Sequence, residues 1–218
     1  MIKRALLSWS SGKDSAWALH MLRQQSGIRV VGLVTTLNET RGRVAMHAVR
    51  LELLQRQAEA VGLPLRIINI PDPCSNTEYE RAMQDELEEA RQQGVDCMAF
   101  GDLFLQDIRD YRETKLSGTG VTPLFPLWGQ STDELARRMI SNGLRAVLTC
   151  VDSRQLSSDF AGRQFDGQLL KELPAHVDPC GERGEFHTFA YAGPMFSQPV
   201  EVEVGEIVER DGFVYADL

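Results

Sequence analysis

The chain has 218 residues, 43% of them apolar, which is enough for one substantial core or two small ones. Its 31 acidic and 23 basic side chains leave a net charge of −8, which excludes a surface dedicated to coating nucleic acid, because phosphate contacts need clustered Lys and Arg. No apolar run reaches the roughly 18 residues of a membrane span, Ser8 and Ser10 interrupt the stretch after Lys3 and Arg4 too early for a signal peptide, and Cys74, Cys97, Cys150 and Cys180 form no CxxC pair, so the expectation is a cytoplasmic protein without a zinc finger or disulfide scaffold.

Taken in chain order, short β-rich runs alternate with longer helical patterns. Strands are expected at about 4–9, 28–36, 65–70, 96–101 and 145–151, and near-continuous apolar runs of this kind suit strands buried on both faces. Helices are expected at 14–25, at 47–61 before Gly62, at 76–93 before Gly94, and at 131–142 before Gly143, since glycine just past the last helical residue is a stop signal. The acidic run from Glu78 to Glu89 reads as a solvated helix face, and TPLFPLWG at 122–129 as a packed loop. Beyond about residue 152 the chain turns rich in Asp, Ser, Gly and Pro, and it ends in two strand-like runs, 200–209 and 212–218, around the turn Arg210-Asp211-Gly212. The predicted fold is α/β: a doubly wound, mostly parallel, Rossmann-like sheet in residues 1–120, followed by a smaller domain, 121–218, that ends in antiparallel strands.

Three stretches carry chemistry. In LLSWSSGKDSAWAL, residues 6–19, a strand runs through small residues into a helix, and such a helix start offers outward N–H groups and a dipole that favours an anion. Lys13 adds a point charge, Ser10 and Ser15 hydroxyls, and Asp14 a Mg²⁺ ligand; the plainer alternative is a helix merely capped by Ser10, with Gly12 easing the turn. It is not a Walker A loop, which needs Gly where Leu7 stands and Ser or Thr where Asp14 stands. The second stretch, FGDLFLQDIRDYRE at 100–113, puts Gly101 and Asp102 at a strand's carboxyl end and Arg109, Arg112 and Glu113 on one face of the next helix, a pattern equally at home in a surface salt-bridge face. The third, HVDPCGERGEFHTF at 176–189, gathers Glu182, Glu185, His187 and Thr188 in a glycine-rich loop, where charges have little structural reason to collect.

SSGKDS resembles the PP-loop, SGGxDS, of the N-type ATP pyrophosphatases, which cleave ATP to AMP and pyrophosphate. It differs at Ser11, where the pattern has Gly and where a Cβ is expected to crowd the pyrophosphate or oppose a positive φ. Together with Met46-His47, GDL…RDYRE, PLW, the FAGR of 160–163 and GERGEFHTF, it makes residues from about 2 to 200 resemble the diphthine-ammonia ligase family. That resemblance implies a cleft between two domains in which ATP activates a carboxylate as its adenylate and free ammonia displaces AMP. It assigns Ser10, Ser11, Gly12, Lys13, Asp14, Ser15 and Gly101 to ATP, with Asp14 on Mg²⁺, and sets the adenine near Thr35 and Thr36. It places the acceptor against His47, Asp102, Arg109, Arg112, Glu113 and Thr188, and gives Lys13, Asp14, Glu182, Glu185 and His187 to catalysis, the last three handling ammonium. The acceptor it implies is a carboxylate on a translation elongation factor, with a small metabolite acid as the alternative. A nucleotide-binding regulatory protein without turnover is the competing reading, motivated by Ser11.

Overall fold

The computed structural model describes residues 1–38, 43, 44, 49–71 and 73–218; Met46 and His47 lie outside them. The chain runs β1 (Lys3–Ser8), α1 (Lys13–Arg23), β2 (Ile28–Asn38), β3 (Arg43–Val44), α2 (Leu51–Val61), β4 (Leu65–Ile70), α3 (Asn76–Gln92), β5 (Cys97–Ala99), α4 (Gln106–Leu116), β6 (Thr122–Leu124), α5 (Thr132–Ser141), β7 (Arg145–Asp152), α6 (Gly167–Glu172), β8 (Phe186–Ala192), β9 (Ile207–Arg210) and β10 (Phe213–Ala216). Five strands pair in parallel in the order β4, β2, β1, β5, β6, with the two residues of β3 antiparallel to the end of β2. The chain builds outward from β1 to β4 and then returns to lay β5 on the other side of β1. The sheet's topological switch point is therefore between β1 and β5, and ligands of open α/β sheets bind outside the carboxyl ends of the strands at such a point.

Alternation along the strands covers both faces. Leu7, Leu33 and Ala99 point into the core formed with α1 and α2, whereas their neighbours Leu6, Val34 and Met98 point into a separate cluster with Leu87 and Ala90 of α3. The helix ends follow the sequence signals. Ser75 and Glu78 form a capping box at α3, the Ser131 hydroxyl caps α5, and Gly62 ends α2 at φ 69°.

A second sheet is antiparallel, in the order β8, β7, β10, β9. Here the structure corrects the sequence reading at four places. The run at 145–151, grouped with the parallel-type strands by its continuous apolar character, is β7, inside the second, antiparallel sheet; burial on both faces gives the same apolar run in either setting. TPL at 122–124 is the edge strand β6 and not only a loop, and Pro123 is tolerated there because one side of an edge needs no N–H donor. Residues 186–192, read as part of a charged loop, form β8, and of the run at 200–209 only Ile207–Arg210 is strand. The main core is continuous from Leu7 and Leu33 through Trp17 and Leu19 of α1 to Val147 and Phe189, so α1 is buried between the two sheets.

Candidate active site

β1 ends at Ser8 and the chain turns through Trp9–Gly12 into α1. The turn is made by Ser11 at φ 70°, a left-handed conformation that a side chain rarely adopts. Ser11 is fully buried; its carbonyl accepts from Ala190 N–H at 2.9 Å and from Gln57 Nε2 at 2.9 Å, while its hydroxyl has no partner among the described residues. Gln57, itself fully buried, also accepts from Trp9 Nε1 at 2.8 Å and donates to Ala190 O at 2.5 Å. One amide of α2 thus ties the turn to β8. On the outer side, Ser10 Oγ lies 3.2 Å from Ser15 Oγ and accepts from Gly12 N–H, and Ser15 Oγ donates to Gly12 O at 3.0 Å. The first intrahelical bond is Ala16 N–H to Gly12 O, so the N–H groups of Asp14 and Ser15 have no carbonyl to bond within the helix.

Gly101 sits at the end of β5, against this helix start. A Cβ there would lie 3.0 Å from Asp14 C and 3.1 Å from Ser15 N, so glycine lets the end of β5 pack this closely on the start of α1 without displacing it. Asp102 follows and holds Arg112 of α4 through two bonds, Nε at 2.5 Å and Nη2 at 3.2 Å.

The loop before β8 closes the site. Asp178 Oδ1 accepts from the N–H groups of Cys180 (2.9 Å) and Glu182 (3.3 Å), and Glu185 accepts from those of Asp178 (2.8 Å) and Arg183 (2.9 Å). Gly181 makes the tight turn at φ 67°, where a Cβ would come within 2.7 Å of Phe186 O. The wired loop then reaches across, with Glu182 accepting from Leu103 N–H at 2.8 Å and Cys180 O from Lys13 Nζ, and in β8 Thr188 Oγ1 accepts from Lys13 N–H at 3.1 Å.

These pieces line one cavity of about 430 Å³ at the switch point. Lys13 is 2% exposed, 2.8 Å from Asp14 Oδ2 and over the rings of Phe165 and Phe186. Burial alone would lower its ammonium, but the charges of Asp14 and Glu182 outweigh it and hold the pKa above the usual lysine value. Burial pushes the Asp14 carboxyl up against the pull of Lys13, and its Oδ1 is buried with no partner among the described residues. Burial, with Asp14 and Asp102 nearby, raises Glu182 to about 7, and burial with Lys13 nearby lowers His187 to about 4. His187 is therefore neutral at neutral pH, and Glu182 is the group poised to exchange a proton there.

Of the expected residues, the structure brings together Ser10, Lys13, Asp14, Ser15, Gly101, Asp102, Arg112, Glu182, His187 and Thr188 around the cavity. It does not bring the others. Ser11 and Gly12 lie behind the loop and shape it from within. Thr35 and Thr36 pair with Ile67 and Ile68 in the β2–β4 ladder, one strand away from the switch point. Arg109 pairs with Glu113 at 2.7 Å and stacks on Phe125 and Trp128, so both stand off the cavity on the outer face of α4. Glu185, expected to handle ammonium, is 1% exposed and has both oxygens taken by loop N–H groups, so it positions the loop. His47 lies outside the described residues. The Cys180 carbonyl and Arg183, both on the cavity wall, are not among the expected site residues although both sit inside the stretch 176–189; for Gln57 the sequence carries no signal.

Comparison with known proteins covers nearly the whole chain. The profile of the diphthamide synthase N-terminal domain matches residues 2–121, and that of the diphthamide synthase C-terminal domain matches residues 131–216. Proteins described as diphthine-ammonia ligase are similar: that of Bos taurus is 26% identical over 196 residues, and that of Homo sapiens 27% over 192, each spanning 80% of this chain and 69% of the relative. The Danio rerio protein of the same description is 29% identical over 180 residues, which is 74% of this chain and 69% of the relative.

Proposed function

The chain belongs to the diphthamide synthase family, and on that premise we propose that it is an ATP-dependent amide ligase that adenylates a carboxylate, releases pyrophosphate, and amidates the carboxylate with ammonia. The observation that carries this reading is the cavity at the switch point, where the start of α1 meets the Asp102–Arg112 pair and the Glu182 loop. The relatives, by their description, act on diphthine; the acceptor proposed here is a carboxylate of that class, carried on a translation elongation factor, or a small metabolite acid in its place.

The phosphates of ATP would lie on Ser10, Lys13 and Ser15 at the helix start, where hydroxyls, an ammonium and the helix dipole converge. The cavity wall sets Lys13, Arg112 and Arg183 against Asp14, Asp102 and Glu182, and with Glu182 titrating near 7 the side-chain charges nearly cancel and leave most of a triphosphate's charge un-neutralised. A Mg²⁺ fits this arrangement. It favours oxygen donors and is held by one or two carboxylates plus substrate phosphates, and the unpartnered Oδ1 of Asp14 is such a donor. Among the described residues no three His, Cys, Asp or Glu converge as a protein-only metal site, which agrees with a metal held mostly by the nucleotide. When bound, the ion would neutralise the charge that builds up on the departing pyrophosphate.

The chain's own residues supply position and a proton acceptor. Arg112 presents a guanidinium plane, fixed by Asp102, to the acceptor carboxylate. Glu182, titrating near 7, takes a proton from ammonium; the ammonia so formed attacks the acyl carbon, and the bond to AMP breaks. Incubation with ATP, Mg²⁺, ammonium and candidate carboxylates should release AMP and pyrophosphate, whereas ADP and phosphate as the products would refute the reading.

A further inference from the structure

A second cavity, of about 310 Å³, lies between α3 and α4 over the carboxyl half of β5. Its floor is apolar, built from Met83, Leu87, Met98 and Phe100, and its rim carries Tyr79 and the Lys115–Glu80 ion pair at 2.7 Å. One side chain, Arg112, lines both this cavity and the one at the switch point. Its Nε and Nη2 are held by Asp102, its guanidinium lies 4.2 Å from the centre of the Phe100 ring, and its Nη1 has no partner among the described residues. The pair is partly buried, at 27% and 15% exposure, so the remaining N–H donors are only partly hydrated.

A ligase must hold two substrates at once. The first cavity has to take a nucleoside triphosphate, so the body of the acceptor needs a separate space whose polar end opens on the nucleotide. We propose that the cavity between α3 and α4 is the acceptor subsite, and that it takes a carboxylate on an apolar or aromatic body. This deepens the ligase reading and rests on it. The body lies on the floor formed by Met83, Leu87 and Phe100, with the two methionines as adaptable walls. The carboxylate meets Arg112 Nη1 at the shared wall, in a charge-assisted bond to a guanidinium that is already oriented. Arg112 thereby aims the carboxylate at the first cavity, and the Asp102 pair is a positioning contact.

The test uses the whole chain labelled with [methyl-13C]methionine and titrated with hydrocinnamate, with and without a non-hydrolysable ATP analogue and Mg²⁺. The expected result is a saturable shift of the Met83 and Met98 signals, with Met21, Met139 and Met195 unmoved. The neutral hydrocinnamamide binds at least roughly tenfold more weakly, and so does hydrocinnamate to Arg112→Gln. The nucleotide analogue leaves hydrocinnamate bound. Absence of the Met83 and Met98 shifts, an equal response to the amide, or displacement by the analogue would overturn the proposal. Met83→Trp fills the cavity while leaving Arg112 and Asp102 in place, so it should abolish the Met98 shift even where Arg112→Gln fails to fold; a Met98 shift that survives it also overturns the proposal. The titration reads binding without turnover. A chain that releases AMP but fails the titration refutes the subsite alone, and a chain that passes it but yields ADP refutes the ligase reading alone.

Discussion

Ser11 is where the loop departs from the pattern it resembles, and its geometry decides what that departure does. The residue adopts φ 70°, so the positive φ is accommodated, and its side chain is buried behind the loop and off the cavity wall. The left-handed conformation costs about 1–2 kcal/mol for a residue with a Cβ, and a hydroxyl without a partner adds to it. Glycine's larger unfolded-state entropy offsets part of this, so Ser11→Gly should stabilise the chain by about 1 kcal/mol in urea unfolding and leave ATP affinity unchanged. A loss of stability, or a gain in nucleotide affinity, would restore the idea that Ser11 obstructs the phosphates. Glu182 makes the second prediction at this scale. Its folded pKa of about 7 lies above the usual 4.5, so between those values the folded chain keeps a proton that the unfolded chain has lost, and stability falls as pH rises through that window. Glu182→Gln keeps an oxygen to accept Leu103 N–H and never ionises. The variant should therefore melt above the parent at about pH 8 and with it at about pH 4. Used as a base for ammonium, Glu182 also sets an acid limb in kcat/KM near pH 7, which should vanish in Glu182→Gln along with about 10²-fold of the rate. An acid limb that persists would move the proton acceptor elsewhere.

At the scale of elements, the site depends on how closely the end of β5 approaches the start of α1. Gly101 packs on the backbone of Asp14 and Ser15, and backbone cannot swing aside as a side chain can. Gly101→Ala should push the start of α1 away by a few tenths of an ångström and weaken ATP binding several-fold by calorimetry, since a site built on position is sensitive to small displacements. Gly167→Ala, where nothing lies within 4 Å of the added Cβ, should leave binding as it is. Parental affinity in Gly101→Ala would mean that the helix start does not carry the phosphates. Four of the five parallel strands and the ends of α2, α3 and α5 were legible in the sequence, because apolar runs, capping serines and terminal glycines act locally, whereas the prolines of TPLFP hid β6. The sheet to which β7 belongs was not legible, since a strand buried on both faces has the same composition in a parallel or an antiparallel sheet. The same limit separates Arg109 from Arg112. Both lie on one stretch of helix, but only tertiary packing turns Arg112 toward Asp102 and leaves Arg109 on Phe125 and Trp128.

For the whole molecule, the excess of eight negative charges belongs to the surface as a whole and not to the cavity, whose wall sets three cations against three carboxylates. That balance makes a divalent cation part of the chemistry proposed for ATP. Among the described residues no helix is long and apolar enough to cross a membrane. The two sheets share one continuous core through α1, and polar links cross between them at Lys13–Thr188, Glu182–Leu103 and Gln57–Ala190. Both short motifs, SSGKDS and GERGEFHTF, pointed to the site because each carries its own charged residues; the links that hold them together, above all Gln57, come from packing and had no local signature. The central claim is that this cavity activates a carboxylate by joining it to the α-phosphate of ATP. The most direct measurement uses an acceptor labelled with 18O in its carboxylate, incubated with ATP, Mg²⁺ and ammonium, and follows the label by 31P NMR and mass spectrometry. The claim predicts that one carboxylate oxygen appears in the phosphate of AMP, with pyrophosphate unlabelled. Unlabelled AMP, or label in inorganic phosphate released with ADP, would contradict it.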